Sequence, residues 1–248
     1  MVQENTKEGY ALKVRVKFAK EGAMKFIGHL DIMRYFQKAV KRANLDVAFS
    51  EGFSPHMIMS FASPLGVGIT STGEYFDMEL KSATTSSDMV KRLNDAMAEG
   101  MKILSIRQVE DGKASKAMSL VAAADYRLKF RETAKLPENW KEKLEEFKAQ
   151  KEIVILKKTK KSEKELDIRP FIYKLSLEEK DEIFMQLAAG SSNNTKPELV
   201  MEAFAAFMEI SYENLKFMIH RCELYADTGS DEAANRIMEI MPNGILID

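Results

Sequence analysis

The sequence has little of the chemistry from which metal and redox sites are usually built. Its 248 residues include one cysteine, Cys222, three histidines and one tryptophan. A single cysteine cannot form an intrachain disulfide, and it cannot supply a metal site or an iron–sulfur cluster that needs several thiolates. We therefore expect no cofactor and no metal. The low cysteine content favours a reducing, cytoplasmic location.

Long apolar runs and a nucleotide-binding loop are also absent. Nowhere do 18 consecutive apolar residues occur, so no segment is predicted to span a membrane. The first ten residues lack an apolar run behind a basic flank, so no secretory signal is predicted. The glycines at 66 and 68 are not followed by the Gly-Lys-Ser/Thr ending of a P-loop.

Charge is distributed unevenly along the chain. The net charge is -1, yet residues 13–42 contain nine basic and two acidic side chains, which leaves 28 basic and 36 acidic side chains elsewhere. Such asymmetry is typical of a surface that binds a polyanion. The alternative is that these charges only solvate one helix and one strand.

The order of hydrophobic patterns predicts an α+β fold of two tandem ferredoxin-like (βαββαβ) units with antiparallel sheets. In the first domain, residues 1–113, we predict strands at 12–18, 47–49, 57–61, 74–80 and 101–109, and helices at 30–43 and from Ser86, Ser87 and Asp88 to Gly100. In the second domain, residues 114–248, we predict strands at 126–131, 153–156, 166–175, 183–189 and 217–225. Helices are predicted from Pro137, from a capping box of Thr195 and Glu198, and at 231–241, with the tail 245–247 docked onto the second domain.

The stretch 50–77 is the most distinctive loop region, with two Ser-Pro steps, four glycines and His56. His29 stands at the entrance of the first predicted helix, and His56 lies in the loop that should face it. Two imidazoles could carry protons as acid and base, which makes His29 and His56 the catalytic candidates. Their spacing matches no metal signature. A structural or helix-capping role for His29, and a contact with nucleic acid or phosphate, are the alternatives.

Both predicted domains begin with a strand that carries three basic residues opposite its core-facing side chains: Lys13, Arg15 and Lys17, then Arg127, Lys129 and Arg131. Single-stranded RNA readers use the open face of such a sheet. The neighbouring strand could set Asp77 and Glu79 against the first group as cross-strand ion pairs.

The chain resembles the radical SAM-associated family, a domain of unknown function often fused to, or encoded beside, cobalamin-binding-type radical SAM proteins. The matching stretches are KFIGHLD at 25–31 with Arg34, FSEGFSPH at 49–56, SPL at 63–65, GEYFD at 73–77, LDIRP at 166–170, residues 190–198 and residues 221–225. The resemblance implies an accessory protein whose partner is a radical SAM protein. It carries over no catalytic residue.

Together, these observations favour a non-catalytic partner that binds RNA or presents an RNA or ribosome-associated substrate for modification. The predicted nucleic-acid-binding residues are Lys25, His29, Arg34, Lys38, Arg42, Ser54, His56 and Arg169. The alternatives are an RNA-processing or RNA-modifying enzyme that uses His29 and His56, and a protein–protein adaptor.

Overall fold

The computed structural model describes residues 11–110, 112, 116–158, 163–190, 193–227, 237–239 and 245–248. The chain has an α+β fold that divides into two compact units. The first unit comprises Met1–Val67, Thr72–Leu120 and Glu239–Asp248, and the second comprises Gly68–Ser71 and Val121–Met238. Within the described ranges, no helix has the length and apolar character needed to cross a membrane.

The first unit is built on a sheet with the strand order β4-β1-β3-β2. Its elements are β1 (Leu12–Lys20), α1 (His29–Arg42), β2 (Met59–Phe61), β3 (Thr70–Leu80), α2 (Ser86–Asp95), β4 (Met101–Gln108) and α3 (Ala117–Leu120). A 3-10 helix, Gly22–Phe26, precedes α1. β1 runs antiparallel to β4, and β2 runs antiparallel to β3.

Four phenylalanines from different elements form the centre of the first core. Phe18 lies on β1, Phe36 on α1, Phe61 on β2 and Phe76 on β3, and all six pairs of ring centroids are 4.7–6.1 Å apart. Edge-to-face and tilted arrangements at such distances add to the gain from burial. The strand alternation and the helical spacing therefore converge on one cluster, which fixes α1 on the sheet.

Three local predictions for this part of the chain were wrong in detail. Residues 47–49 form only isolated bridges, Val47 with Leu80 and Phe49 with Met57. The N-cap of α2 is Thr85, whose hydroxyl accepts a hydrogen bond from the Asp88 N–H. The tail at 245–247 contacts the first unit, because Ile245 exchanges backbone hydrogen bonds with Gln108.

The second unit contains an antiparallel sheet with the strand order β10-β5-β9-β8. Its elements are β5 (Val121–Phe130), α4 (Trp140–Lys148), β6 (Val154–Lys158), β7 (Glu163–Asp167), β8 (Ile172–Leu177), β9 (Glu182–Ala188), α5 (Pro197–Phe207), β10 (Phe217–Asp227) and β11 (Ile237–Glu239). β6 and β7 pair with each other as a separate hairpin. β11 and the start of β3, at Thr70 and Ser71, pair with β10.

The apolar faces of this sheet and its helices meet in a second core. Leu128 and Met185 from the sheet are buried, as are Leu144 from α4 and Phe204 from α5. The Phe147 ring of α4 lies 5.3 Å from that of Phe204. The apolar residues whose helical spacing predicted α4 and α5 therefore lie on the buried sides of these helices.

Predictions for the second unit failed where local signals were ambiguous. The strand expected at 166–175 is interrupted by a 3-10 helix, Arg169–Phe171, which separates β7 from β8. The N-cap of α5 is Lys196 and no side chain caps it, so Thr195 does not form the expected capping box. Most of the helix predicted at 231–241 lies outside the described residues, and its described part, Ile237–Glu239, is a strand.

Candidate functional site

The outer side of α1 carries a cationic stripe. Its inner side is held by Ile32, Phe36, Ala39 and Val40, which are buried in the core. Arg34, Lys38, Lys41 and Arg42 are all exposed. At 3.6 residues per turn, these four positions fall on one side of the helix. We call these four residues the α1 basic face.

Two contacts orient side chains of the α1 basic face. Arg34 Nη1 lies 3.3 Å from Asp31 Oδ1, and both side chains are well exposed. Arg42 Nη2 donates to the Ala96 carbonyl oxygen at 2.9 Å, which ties the end of α1 to the end of α2. An exposed ion pair of this kind contributes little to stability. Because all four side chains of the α1 basic face are exposed, most of the positive charge on this side faces solvent.

Exposed apolar groups adjoin the N-terminal end of the stripe. Phe26 is 67% exposed and Leu30 is 66% exposed. The Lys25 Nζ lies 5.2 Å from the centroid of the Phe26 ring. Nothing in the local pattern predicted the exposure of Phe26 or Leu30.

His29 opens α1 and lines a very small pocket. Its half-buried ring packs edge-to-face on Phe61, with centroids 5.5 Å apart. Lys20 and Glu74, 2% and 3% exposed, line the same pocket. Lys20 Nζ donates to the Ile27 carbonyl oxygen at 2.8 Å, so it holds the turn that enters α1. Sequence reasoning missed these two charges because lysine and glutamate are rarely fully buried.

The electrostatics of the His29 pocket favour a neutral imidazole. Burial lowers the pKa of His29; the Glu74 carboxylate acts against this shift and the Lys20 ammonium acts with it. The cavity measures about 10 Å³, which is about the room that one water needs. The pocket is therefore too small for a substrate, and its geometry supports a structural role for His29.

His56 lies in a different cleft. The cleft, of about 280 Å³, is lined by the loop and by residues of β1, β2 and β3, including Lys13, Met59 and Asp77. It shares no lining residue with the His29 pocket. The structure does not bring the two imidazoles into one cavity, so it gives no support to their acting together on one substrate.

A hydrogen-bonded clasp closes the loop that bears His56. Ser50 Oγ and His56 Nδ1 are 2.8 Å apart, and the His56 N–H donates to the same hydroxyl at 3.1 Å. The Ser50 N–H donates to the His56 carbonyl oxygen at 2.8 Å. Between these ends, Ser54 is exposed and the Phe53 side chain projects fully into solvent. We call residues 50–56 the Ser50 loop.

The predicted basic face of the first strand is not open. Lys13 and Arg15 are 6% and 2% exposed. Arg15 Nε and Nη2 lie 2.7 and 3.0 Å from the two oxygens of Asp77, which confirms the predicted cross-strand ion pair. The Ala117 N–H at the start of α3 donates to Asp77 Oδ2 at 2.8 Å. The expectation of an exposed face was wrong here because α3 adjoins this side of the sheet.

Arg169 holds the backbone of the second unit. Its Nε donates to the Gln150 carbonyl oxygen at 3.1 Å, and its Nη1 donates to that of Ile172 at 3.0 Å. These bonds connect the end of α4 with the start of β8, so the guanidinium has a structural task. Of the predicted nucleic-acid-binding residues, Lys25, His29, Arg34, Lys38 and Arg42 lie along or beside α1, and Ser54, His56 and Arg169 lie elsewhere.

No group of three or more His, Cys, Asp or Glu side chains suited to a metal ion occurs in the part of the chain that the structure describes. Cys222 is half-buried. Burial raises its pKa to about 11, and the carboxylates of Asp125, Glu223 and Glu182 act in the same direction against Arg127. The thiol is thus uncharged near neutral pH and is a poor nucleophile.

Comparison with protein families gives one match. Residues 13–197 match DUF2344, whose description is "Uncharacterized protein conserved in bacteria". The chain belongs to this family. None of the curated proteins matches the DUF2344 chain.

Two solved structures show distant similarity to this DUF2344 chain. A chain in the crystal structure of a Cbf5-Nop10-Gar1 complex is 11% identical with a TM-score of 0.43; the alignment covers 85% of this chain and 48% of that chain. The chain thus spans about half the length of that relative. An unknown protein from Galdieria sulphuraria is 13% identical with a TM-score of 0.26, over 86% of this chain and 99% of that chain.

Proposed function

We propose that this chain binds RNA through the α1 basic face and acts as an accessory protein of a radical SAM enzyme that modifies RNA or a ribosome-associated target. The observation that carries the RNA proposal is the exposure of Arg34, Lys38, Lys41 and Arg42 on one side of α1. Asp31 is the only acidic residue within α1. A basic stripe on a chain of net charge -1 is the electrostatic footprint of phosphate binding.

The chemistry of the stripe suits the backbone of RNA. Guanidinium and ammonium groups neutralise phosphates and release condensed counterions, which supplies sequence-independent affinity. Phe26 and Leu30 extend the stripe with exposed apolar surface. An exposed aromatic ring can stack on an unpaired base. The surface therefore combines phosphate contacts with one stacking position.

The triple variant Arg34→Glu, Lys38→Glu, Lys41→Glu tests the RNA proposal. Arg42 is kept, because its bond to the Ala96 carbonyl oxygen holds α1 to α2. We expect at least a roughly 10-fold loss of affinity for tRNA or ribosomal RNA fragments in fluorescence anisotropy. The salt dependence should also become weaker by about 0.7 in log–log slope for each phosphate contact that is lost.

A second triple variant, Lys81→Glu, Lys91→Glu, Lys102→Glu, provides the matched control. It makes the same change in net charge at three exposed lysines outside α1. It should bind RNA nearly as well as the parent. Equal losses for both triple variants would mean that binding follows net charge alone, and the α1 basic face would then not be the site.

The radical SAM part of the proposal is supported by the resemblance of the motifs at 25–31, 49–56 and 166–170. Its test is purification of the chain from native cells to identify a bound radical SAM protein, followed by mass spectrometry of RNA from cells that lack this chain. We expect a stable complex and the loss of one modification. No complex, together with an unchanged set of modifications, would refute the accessory role.

For the architecture, we propose that each unit is a ferredoxin-like βαββαβ arrangement, with the β6–β7 hairpin inserted into the second. The strand orders β4-β1-β3-β2 and β10-β5-β9-β8 support this. In both units the outer positions are held by the last and the second strand of the repeat. An experimental structure with another strand order in either unit would refute it.

A further inference from the structure

The second unit carries another surface with the chemistry of nucleic-acid recognition. The register of its sheet places His220 of β10, Arg127 of β5, Phe184 of β9 and Ser176 of β8 in one row across four strands. Directly paired residues in a sheet lie on the same face. The residues between them along β5 and β9, such as Leu128 and Met185, are buried. The row therefore lies on the side away from that buried layer.

Basic side chains flank this row. Lys129 follows Arg127 along β5, and Lys174 of β8 lies beside Phe184; all three basic residues are exposed. Lys174 Nζ is 4.7 Å from the centroid of the Phe184 ring, which is half-buried. We call Arg127, Lys129, Lys174, Phe184 and His220 the second-unit sheet face.

The acidic side chains on this face are less exposed than the basic ones. Glu182 pairs with Lys129 in the register. Asp125 and Glu223 are 7% exposed, and Tyr225 Oη donates to Asp125 Oδ2 at 2.7 Å. Burial raises the pKa of Asp125. The most exposed charges of the face are therefore the three cations.

His220 adds an oriented ring to the row. Its Nδ1 lies 2.9 Å from Oγ1 of Thr70. Thr70 is the first residue of β3, whose start pairs with β10 in this unit. An imidazole and a phenyl ring thus stand on either side of Arg127. The row thus sets one cation between two rings and ends at Ser176.

We infer that the second-unit sheet face binds single-stranded RNA, with Phe184 stacking on a base and Arg127 and Lys129 contacting phosphates. This inference rests on the proposed function for its ligand class and narrows that class to unpaired strands. A base can stack on a protein ring only when it is free of its neighbours in a duplex. Two side chains on one strand lie about 7 Å apart, a reach that lets both contact one extended backbone.

The experiment measures binding of a fluorescein-labelled oligouridine and of a hairpin duplex by anisotropy. The double variant Arg127→Glu, Lys129→Glu should weaken oligouridine binding at least about 10-fold and lower the salt slope by about 1.4. Phe184→Leu, which keeps apolar bulk without the ring, should weaken it roughly 5- to 100-fold. Phe184→Trp should retain the affinity. The duplex should compete poorly.

Two controls separate the outcomes. Lys135→Glu, Lys151→Glu makes the same charge change at exposed lysines outside this sheet, and circular dichroism checks that each variant folds. If oligouridine binding falls in the sheet-face variants but not in this control, the inference holds. If it is unchanged in them, or falls equally in the control, the inference is wrong whatever the α1 variants do.

The α1 triple variant distinguishes this inference from the proposed function. A protein that loses tRNA binding through α1 but keeps oligouridine binding through Arg127, Lys129 and Phe184 would support both. Loss of oligouridine binding only in the α1 triple variant would leave the proposed function standing and overturn the inference. Parent protein that binds neither RNA, and binds only a protein, would overturn both.

Discussion

The Arg15–Asp77 pair is the clearest single determinant of the first unit. Both residues are almost completely buried, and the guanidinium makes two hydrogen bonds to the carboxylate. Asp77 also accepts from the Ala117 N–H. The pair therefore joins β1, β3 and α3 in an environment where a lone charge is costly.

Asp77→Asn should destabilise the first unit strongly. The neutral amide removes the carboxylate charge that both Arg15 nitrogens contact in this buried site, and we expect a loss of about 3–5 kcal/mol in urea unfolding. Asp31→Asn breaks the exposed pair with Arg34 and should cost less than about 1 kcal/mol. Equal losses in the two variants would contradict this account of the buried pair.

Cys222 should be slow to react. Its pKa of about 11 makes the thiolate roughly 100-fold scarcer at pH 8 than in a thiol of ordinary pKa. Because the folded-state pKa is raised, the folded state loses stability as pH rises above about 9 toward 11. Alkylation by iodoacetamide at pH 8 should be slow in the native protein and fast in urea. Similar rates in both conditions would disprove the shift.

At the scale of elements, periodicity located most strands and helices, and single-residue geometry decided where they ended. β1 and α1 follow their patterns closely because one face of each is packed on the phenylalanine cluster. The strand expected at 166–175 fails at Arg169-Pro170, since proline lacks a backbone donor and restricts the residue before it. The cap of α2 moved to Thr85 because several neighbouring residues offer the same hydroxyl or carboxylate chemistry.

Gly100 fixes the approach between two turns of the first unit. It has φ +86°, and an added Cβ would lie 2.6 Å from the Glu21 carbonyl oxygen and 3.0 Å from Met24 Cγ. The Glu21 N–H also donates to the Gly100 carbonyl oxygen at 2.7 Å. A side chain at this position would push the 3-10 helix before α1 away from the start of β4.

Gly100→Ala should therefore cost more than its backbone conformation alone explains. Gly52 has φ +106° and nothing within 4 Å of an added Cβ, so Gly52→Ala isolates the cost of positive φ, about 1–2 kcal/mol. We expect Gly100→Ala to exceed that value by a further ~1–3 kcal/mol in urea unfolding. If the two variants are equally stable, the close approach to Glu21 has no energetic weight.

At the scale of the whole molecule, some features depend on partners too distant in sequence for local patterns to show. The Ile247 N–H donates to Ser86 Oγ across 161 positions, which is why the tail was assigned to the wrong unit. Lys13 and Arg15 alternate with apolar residues, which is the pattern of an exposed strand face. Both are nevertheless buried, because α3 and Asp77, which are distant from them in sequence, adjoin this side of the sheet. Composition reports neither contact.

The candidate site likewise has one part that local patterns predicted and one part that depends on tertiary packing. Helical spacing alone places Arg34, Lys38 and Arg42 on one side of α1, so this part was predictable. The size of the His29 pocket, and its separation from the cleft of His56, depend on how β1, β2 and β3 pack. The spacing of residues in a sequence does not show how large a cavity is or whether two residues share one. The two imidazoles were therefore expected to face each other.

The clasp of the Ser50 loop has one consequence for how Phe53 is displayed. Three hydrogen bonds join its two ends, and two of them use a backbone N–H as donor. The phenyl ring at the tip is thus presented by a segment that is already closed at its base, so a partner that contacts Phe53 meets a loop whose ends are fixed.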